Sequence, residues 1–274
     1  DSSKNWINRS LELQIILACS WDCQSCDALS QFHSISFNKK GTMTIAQIER
    51  FIEEMKSKNA YIGRIRVLGG EPTGHNRFEQ IVALLHKELV PNHVLSLEVI
   101  TNGDNPEKCA AVKHLARIRV SGEGAKQKHH VANLVHTPAT LGYEAKACSS
   151  PWHCGISLSY YGYWPCSAGA GLSRMRDWMH HQRLELPLSI NWQWPNRPTA
   201  VRDSWPDLEL ACAHCCHALH SEDKIKSGTG TIPGQHALNV PSKDAWEHLA
   251  PWIMQNKQPD WPIYGQLTGA PKSA

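Results

Sequence analysis

The 274-residue sequence predicts an α/β fold: an open, partial parallel β/α barrel over residues 1–130, then a small cysteine-rich region built on a β-hairpin over residues 131–274. Three observations predict it. Apolar strand patterns alternate with amphipathic helix patterns through the first 120 residues, which implies parallel pairing with right-handed crossovers. Only four such units fit there, whereas a closed eight-unit barrel takes about 250 residues. Near residue 130 the helical periodicity gives way to sequence rich in Trp, Pro, Gly and His, where six of the ten cysteines fall.

The elements follow in order. Leu11 to Leu17 alternates apolar and polar residues, then turns apolar, as a strand does. Thr44 to Lys58 reads as a helix. Thr44 and Gln47 form a capping box, and Ile45, Ile48, Phe51, Ile52 and Met55 form one apolar stripe. Ile62 to Leu68 is the second strand and ends in Gly69-Gly70. Asn76 with Glu79 is the expected cap of the next helix, whose inner face is Phe78, Ile81, Val82, Leu85 and Leu89. Val94 to Ile100 is the third strand, followed by Thr101-Asn102-Gly103. Asn105-Pro106 opens a helix to about Leu115, with proline in the first turn, where its missing N–H costs nothing. Cys109 on that helix reads as a buried small hydrophobe. Arg117 to Val120 is the fourth strand, ending in Ser121-Gly122-Glu123-Gly124. In the second region Ile156 to Tyr160, a turn at Tyr161-Gly162, and Tyr163 to Pro165 make a hairpin. Short helices are expected from Met175 to about Leu184 and from Ala245 to Gln255.

Composition sets limits on function. Lys and Arg total 28 and Asp and Glu 25, a net +3 with no basic stripe, so nucleic acid is not an expected partner. The longest apolar run, Ile15 to Cys19, is far short of the roughly 20 residues of a membrane span. No signal peptide opens the chain, and a cytoplasmic protein is expected. The chain begins at Asp1 rather than Met, so the natural N-terminus is expected upstream.

Ten cysteines without an export signal point to metal before disulfides. They lie as Cys19, Cys23, Cys26; Cys109 alone; Cys148, Cys154, Cys166; and Cys212, Cys215, Cys216. Cys19-x3-Cys23-x2-Cys26 puts three thiolates on one loop after the first strand. Three is one short of the four that usually hold an iron–sulfur cluster, which would leave one iron open to a ligand. Zinc is the alternative, though structural zinc sites want four closed ligands.

This triad, Gly69-Gly70-Glu71-Pro72 after the second strand, Thr101-Asn102-Gly103 after the third and Ser121 after the fourth together resemble the radical S-adenosylmethionine (SAM) superfamily across residues 11–124. The resemblance implies that Cys19, Cys23 and Cys26 hold a 4Fe–4S cluster whose fourth iron is chelated by SAM. Reduction would cleave SAM to methionine and a 5′-deoxyadenosyl radical that abstracts a substrate hydrogen atom. Gly69, Gly70, Glu71 and Pro72 would meet the methionine amino group: glycines permit close backbone approach, and carbonyls and a carboxylate accept from an ammonium. Ser121, with Glu123 or Asn102, would meet the ribose or the methionine carboxylate; an ordinary role as loop polar residues is the alternative for these three. The family usually has an aromatic residue before the third cysteine. Here it is Ser25, and Trp21 is the candidate adenine contact instead.

The second cysteine group is similar to the twitch and SPASM auxiliary-cluster domains appended to such enzymes: Cys148, Cys154, the hairpin with Gly162, Cys166, then Cys212-x2-Cys215. The resemblance implies one auxiliary 4Fe–4S cluster, held by Cys154, Cys166, Cys212 and Cys215, with Cys148 as rival ligand; zinc on the same four thiols is the alternative. His214 and His217 flank Cys215. Trp192 and Trp194 are candidates for a pocket wall or for core packing.

The expected function is hydrogen abstraction from a small molecule, most simply a dehydrogenation that passes an electron to the auxiliary cluster. A flavodoxin- or ferredoxin-type protein would supply the reductant. The alternatives are an epimerase in which Cys148 or Cys216 returns a hydrogen atom, a ribosomal-peptide maturase, and, outside enzymes, an iron–sulfur electron carrier or a zinc-bound interaction protein. No residue was assignable as catalytic beyond those two candidate donors.

Overall fold

The computed structural model describes residues 4–20, 41–121, 155–167 and 170. Its centre is a six-stranded sheet in the order β4-β3-β2-β1-β5-β6. The strands are β1 (Asn5–Ile16), β2 (Ala60–Gly69), β3 (Val94–Thr101), β4 (Arg117–Val120), β5 (Ile156–Ser159) and β6 (Gly162–Trp164). Every neighbouring pair is parallel except β5 with β6. The helices are α1 (Ile45–Ser57), α2 (Phe78–Leu89) and α3 (Pro106–Val112), with a 3-10 turn at Pro72–Gly74. A mixed, mostly parallel sheet wound by successive strand–helix units is consistent with the expected partial barrel.

One face of the sheet holds the apolar core. Leu11, Leu13 and Ile15 of β1, Ile62, Ile65 and Val67 of β2, and Leu97 and Val99 of β3 pack on Ile48, Phe51 and Met55 of α1 and on Ile81, Val82 and Leu85 of α2. Each such side chain contributes roughly 1.5–3 kcal/mol of burial. The opposite face of the same strands is polar, because side chains alternate along a strand. Ser10, Glu12 and Gln14 of β1 and Ser157 and Ser159 of β5 lie there, all buried.

The capping box of α1 forms as expected. Gln47 N–H donates to the Thr44 hydroxyl at 3.2 Å, and Thr44 N–H donates to Gln47 Oε1 at 2.9 Å. The expected cap of α2 does not form. That helix starts after Arg77 with no side-chain cap bond, because the preceding turn uses His75 instead: Arg77 N–H donates to His75 Nδ1 at 2.9 Å. Strand β1 starts six residues earlier than its alternation suggested, since Asn5 to Ser10 find partners along β2 and in Asn59. Helix α3 stops at Val112, three residues short of the expected end.

The hairpin differs most from its sequence reading. Its turn is Tyr160-Tyr161, with Ser159 opposite Gly162. Its first strand is no outlying element: β5 pairs parallel with β1, Leu11 opposite Ile156 through Gln14 opposite Ser159. Buried bonds fix it there. Tyr163 donates its hydroxyl proton to Glu54 of α1 at 2.7 Å, and Gln47 Nε2 donates to the Tyr160 carbonyl at 3.0 Å. The expected helices at 175–184 and 245–255 lie outside the described residues, as does most of the second region. No helix among the described residues is long and apolar enough to cross a membrane.

Candidate active site

The carboxyl ends of β1, β2, β3 and β4 lie side by side, and parallel α/β sheets bind ligands at that end. Cys19 follows β1 as a half-buried thiol. The chain leaves β1 there and returns at Thr42 and Met43, where Met43 N–H donates to the Ile15 carbonyl at 2.8 Å. The loop that carries the cysteine triad is therefore tied at both ends to one strand end. Cys23 and Cys26 lie outside the described residues, as do Trp21 and Ser25.

The Gly69-Gly70-Glu71-Pro72 turn is locked onto the stretch just before Cys19. Gly70 N–H donates to the Ile16 carbonyl at 2.8 Å, and Glu71 N–H donates to the Ala18 carbonyl at 2.9 Å. A Cβ on Gly69 would lie 1.9 Å from the Ile16 carbonyl oxygen, and one on Gly70 would lie 2.0 Å from that of Ala18. Both glycines are thus required by backbone meeting backbone, a demand separate from any ligand.

Glu71 is buried, and its carboxylate joins the second strand end to the third. Oε1 accepts from Thr73 N–H at 3.0 Å and from the Thr73 and Thr101 hydroxyls at 2.6 Å each. Oε2 accepts from Asn102 N–H at 2.6 Å. Oε1 takes three donors and Oε2 one, so among the described residues Oε2 keeps acceptor capacity. Asn102 in turn donates from Nδ2 to the Ser20 hydroxyl at 3.0 Å, and Ser20 donates to Asp104 at 2.7 Å. The residue after Cys19 is thereby bound to the third strand end. Ser121 N–H donates to the Thr101 carbonyl at 2.7 Å, which adds the fourth. Glu123 lies outside the described residues.

Two further groups brace the turn. Lys108 of α3 donates from Nζ to the Thr73 carbonyl at 2.7 Å, and Asn105 Nδ2 donates to the Thr73 hydroxyl at 2.8 Å. His75 is buried and bridges to the returning strand, with Nε2 2.9 Å from the Met43 carbonyl oxygen. Because Nδ1 accepts from Arg77, Nε2 carries the proton and the ring is neutral. Burial pulls its pKa below the usual 6.5, the Met43 bond opposes this, and the Lys108 charge adds to it. The sign follows: the folded value is depressed, so the stabilisation is complete above about pH 6.5 and is lost as pH falls through the folded value. Urea midpoints should accordingly decline in that acidic window, and a His75→Gln chain should lose the His75 part of the slope. Identical slopes for the two chains would show that His75 titrates alike folded and unfolded.

Cys109 is buried beside this network. Burial, and then the Glu71 charge, push its thiol pKa up, against a bond with Thr101. That suits its reading as a small hydrophobe. Cys166 is buried just after β6. Cys148, Cys154, Cys212, Cys215 and Cys216 lie outside the described residues, and no group of three potential metal ligands forms among the described ones.

Thr73, Ser20 and Asp104, which help hold the strand ends together, carry no signal in the sequence, and Thr101 stood out only as part of the Thr101-Asn102-Gly103 motif. The sequence reading also missed an ionic layer on the polar face. Arg66 of β2 reaches Glu98 of β3 at 3.2 Å and Glu12 of β1 at 3.4 Å, and Arg64 stands 3.6 Å from Glu98. The signal was present in β1: Ser10, Glu12 and Gln14 alternate through a strand flanked on both sides, where a fully apolar run would be expected if both faces were dry.

Residues 13–140 match the family model described as the Radical SAM superfamily. The matched span contains the carboxyl ends of β1, β2, β3 and β4. That match supports an enzyme. No curated protein matches the chain. Among solved structures, BtrN in complex with AdoMet and 2-DOIA is similar at 17% identity over 76% of this chain and 92% of that one, with a TM-score of 0.47. BtrN in an open conformation aligns at 16% identity over 58% and 70%, with a TM-score of 0.37. Streptococcus suis SuiB bound to its precursor peptide SuiA aligns at 14% identity over 41% of this chain and 23% of that one, with a TM-score of 0.31.

The donors at this end of the sheet fit the group the family implies. A soft thiolate suits iron, and the neighbouring carbonyls and the spare Glu71 oxygen suit an amino-acid ligand at the same place.

Proposed function

We propose that the chain is a radical SAM enzyme that oxidises a small-molecule substrate. The supporting observation is the convergence of Cys19, the Gly69-Gly70-Glu71-Pro72 turn and Asn102 through Ser20, Glu71 and Thr101, inside the span that matches the superfamily. When bound, a 4Fe–4S cluster on Cys19, Cys23 and Cys26 supplies the electron that cleaves SAM and so starts hydrogen abstraction.

The chain's own residues hold the ligand. The backbone of Gly69 to Pro72 and Glu71 Oε2 receive the methionine ammonium. Asn102, Ser121 and Glu123 receive the ribose or carboxylate. Glu71 Oε1 does other work: three donors occupy it, and it keeps the turn at a fixed height over β3. An auxiliary 4Fe–4S cluster on Cys154, Cys166, Cys212 and Cys215, or with Cys148 in place of Cys154, is the proposed electron acceptor. A flavodoxin- or ferredoxin-type donor is the proposed reductant.

Anaerobic reconstitution followed by SAM and dithionite tests the reading. About eight irons per chain and release of 5′-deoxyadenosine are expected. A Cys19→Ala/Cys23→Ala/Cys26→Ala chain should retain about four irons and release none. Continued release from that chain would remove the assignment, and about four irons with bound zinc in the wild type would remove the auxiliary cluster. A product with the same number of hydrogens as the substrate, one of them a solvent deuterium, would replace oxidation by epimerisation.

A further inference from the structure

We infer that Arg64, Arg117 and Arg119 receive an anionic group of the substrate, a phosphate or a carboxylate, on the polar face of the sheet. The inference rests on the radical SAM reading for there being a substrate, and on the charges of this chain for its class. Register puts those charges on one face, because laterally paired residues of a sheet point to the same side and successive residues to opposite sides. Glu12 of β1 pairs with Arg66 of β2, Arg66 with Glu98 of β3, and Glu98 with Arg117 of β4. Arg64 stands two residues before Arg66, and Arg119 two residues after Arg117, so both share that face. Four arginines on these strands thus stand against two glutamates, a surplus of two positive charges.

The acids do not cover that surplus. Glu98 Oε2 is shared by two cations, with Arg66 Nε at 3.2 Å and Arg64 Nη1 at 3.6 Å. Glu12 is taken by Arg66 at 3.4 Å. Arg117 and Arg119 form no ion pair among the described residues. Arg64 feels the crowding: burial and then the Arg66 charge lower its pKa, Arg9 and Arg119 add to the fall, and Glu98 opposes it. Cations gathered in this way raise the free energy of the face, and an oxyanion among them offsets the repulsion.

The face is accessible where the surplus lies. Arg117 and Arg119 are exposed on β4, and the Arg64 side chain keeps 29% of its surface, against 12% for Arg66. Arg64 Nη1 is turned towards Glu98, whose neighbour across the sheet is Arg117. Guanidinium forks take the oxygens of a phosphate or a carboxylate in pairs. Arg119 stands two residues before Ser121, about 7 Å along the strand. An anion held there keeps a small molecule within reach of the strand ends that carry Cys19 and Gly70.

The test uses the full chain, reconstituted anaerobically with SAM, its Arg117→Gln/Arg119→Gln variant and its Arg64→Gln variant. Methyl phosphate, acetate and methylammonium are the probes, read through their methyl protons by saturation-transfer NMR at constant ionic strength. At least one of the two anions should bind the wild type in preference to methylammonium, and should bind each variant about tenfold more weakly or worse. The tighter of the two anions tells phosphate from carboxylate. The double variant should melt within about 2 °C of the wild type, because neither side chain makes an ion pair among the described residues. If it melts several degrees lower, Arg64→Gln alone decides, with the same loss expected. Equal anion binding by the wild type and the folded variants, or methylammonium bound as tightly as the anions, would overturn the inference while leaving the radical SAM reading in place. Absence of 5′-deoxyadenosine from the wild type with SAM and dithionite would overturn that reading, and this one with it.

Discussion

A Gly70→Ala chain should lose at least nine-tenths of its SAM cleavage, whereas Gly74→Ala, in the same turn, should keep it within about twofold. The added Cβ at position 70 would meet the Ala18 carbonyl oxygen at 2.0 Å, the Ala18 carbonyl carbon at 2.3 Å and the Leu17 carbonyl oxygen at 2.6 Å. These are backbone atoms in the stretch that leads into Cys19, and they cannot rotate aside as a side chain would. The turn and the loop must separate, which breaks the bonds from Gly70 N–H to Ile16 and from Glu71 N–H to Ala18. At position 74 a Cβ meets nothing within 4 Å. The pair of variants separates a steric demand from a general dislike of alanine in this turn. Release of 5′-deoxyadenosine by Gly70→Ala at the wild-type rate would show that the contact has no bearing on the site. Loss in both variants would place the sensitivity in the turn as a whole.

The contrast between those two glycines also marks how far the sequence was legible. The order of strands and helices could be read, because each helix shows one apolar stripe and each of the first four strands ends in a polar or glycine cluster. The placement of the motifs could be read too, since they fall at successive strand ends. The partners of the motif residues could not. Gly69 and Gly70 suggested close approach to a ligand, and the structure adds close approach to residues 16–18. Glu71 suggested an acceptor for an ammonium, and most of its capacity is spent on Thr73, Thr101 and Asn102. The bonds to Thr101 and Asn102 join residues about thirty positions apart, a separation that local pattern does not encode. The hairpin was found but misplaced. Its alternation and turn are local signals, while its pairing with β1 depends on long-range register. Asn76 looked like a cap because its residue type favours one. His75 took over the entry to α2, since the 3-10 turn at Pro72–Gly74 had already set the direction of the chain.

Arg66→Met should lower the thermal midpoint by roughly 6–12 °C, which corresponds to about 3 kcal/mol in a domain of this size. The side chain stands between two buried carboxylates, Glu12 and Glu98, on the strands to either side of its own. Methionine keeps much of the volume and the unbranched stem, so a cavity is not the main effect. What is lost is the cation that makes burial of two acids tolerable. Removing one member of a buried ion network costs more than the network contributes, because the remaining charges stay out of water without their partner. Arg64, 3.6 Å from Glu98, limits the damage on the β3 side but does not lie within ion-pair distance of Glu12. The double variant Arg66→Met/Glu98→Gln decides whether charge is the cause. If it is, neutralising Glu98 recovers part of the loss, and the two changes together cost less than their sum. If the effects simply add, Arg66 acts through packing of its stem. A midpoint for Arg66→Met within about 2 °C of the wild type would mean that the acids find other partners on the polar face.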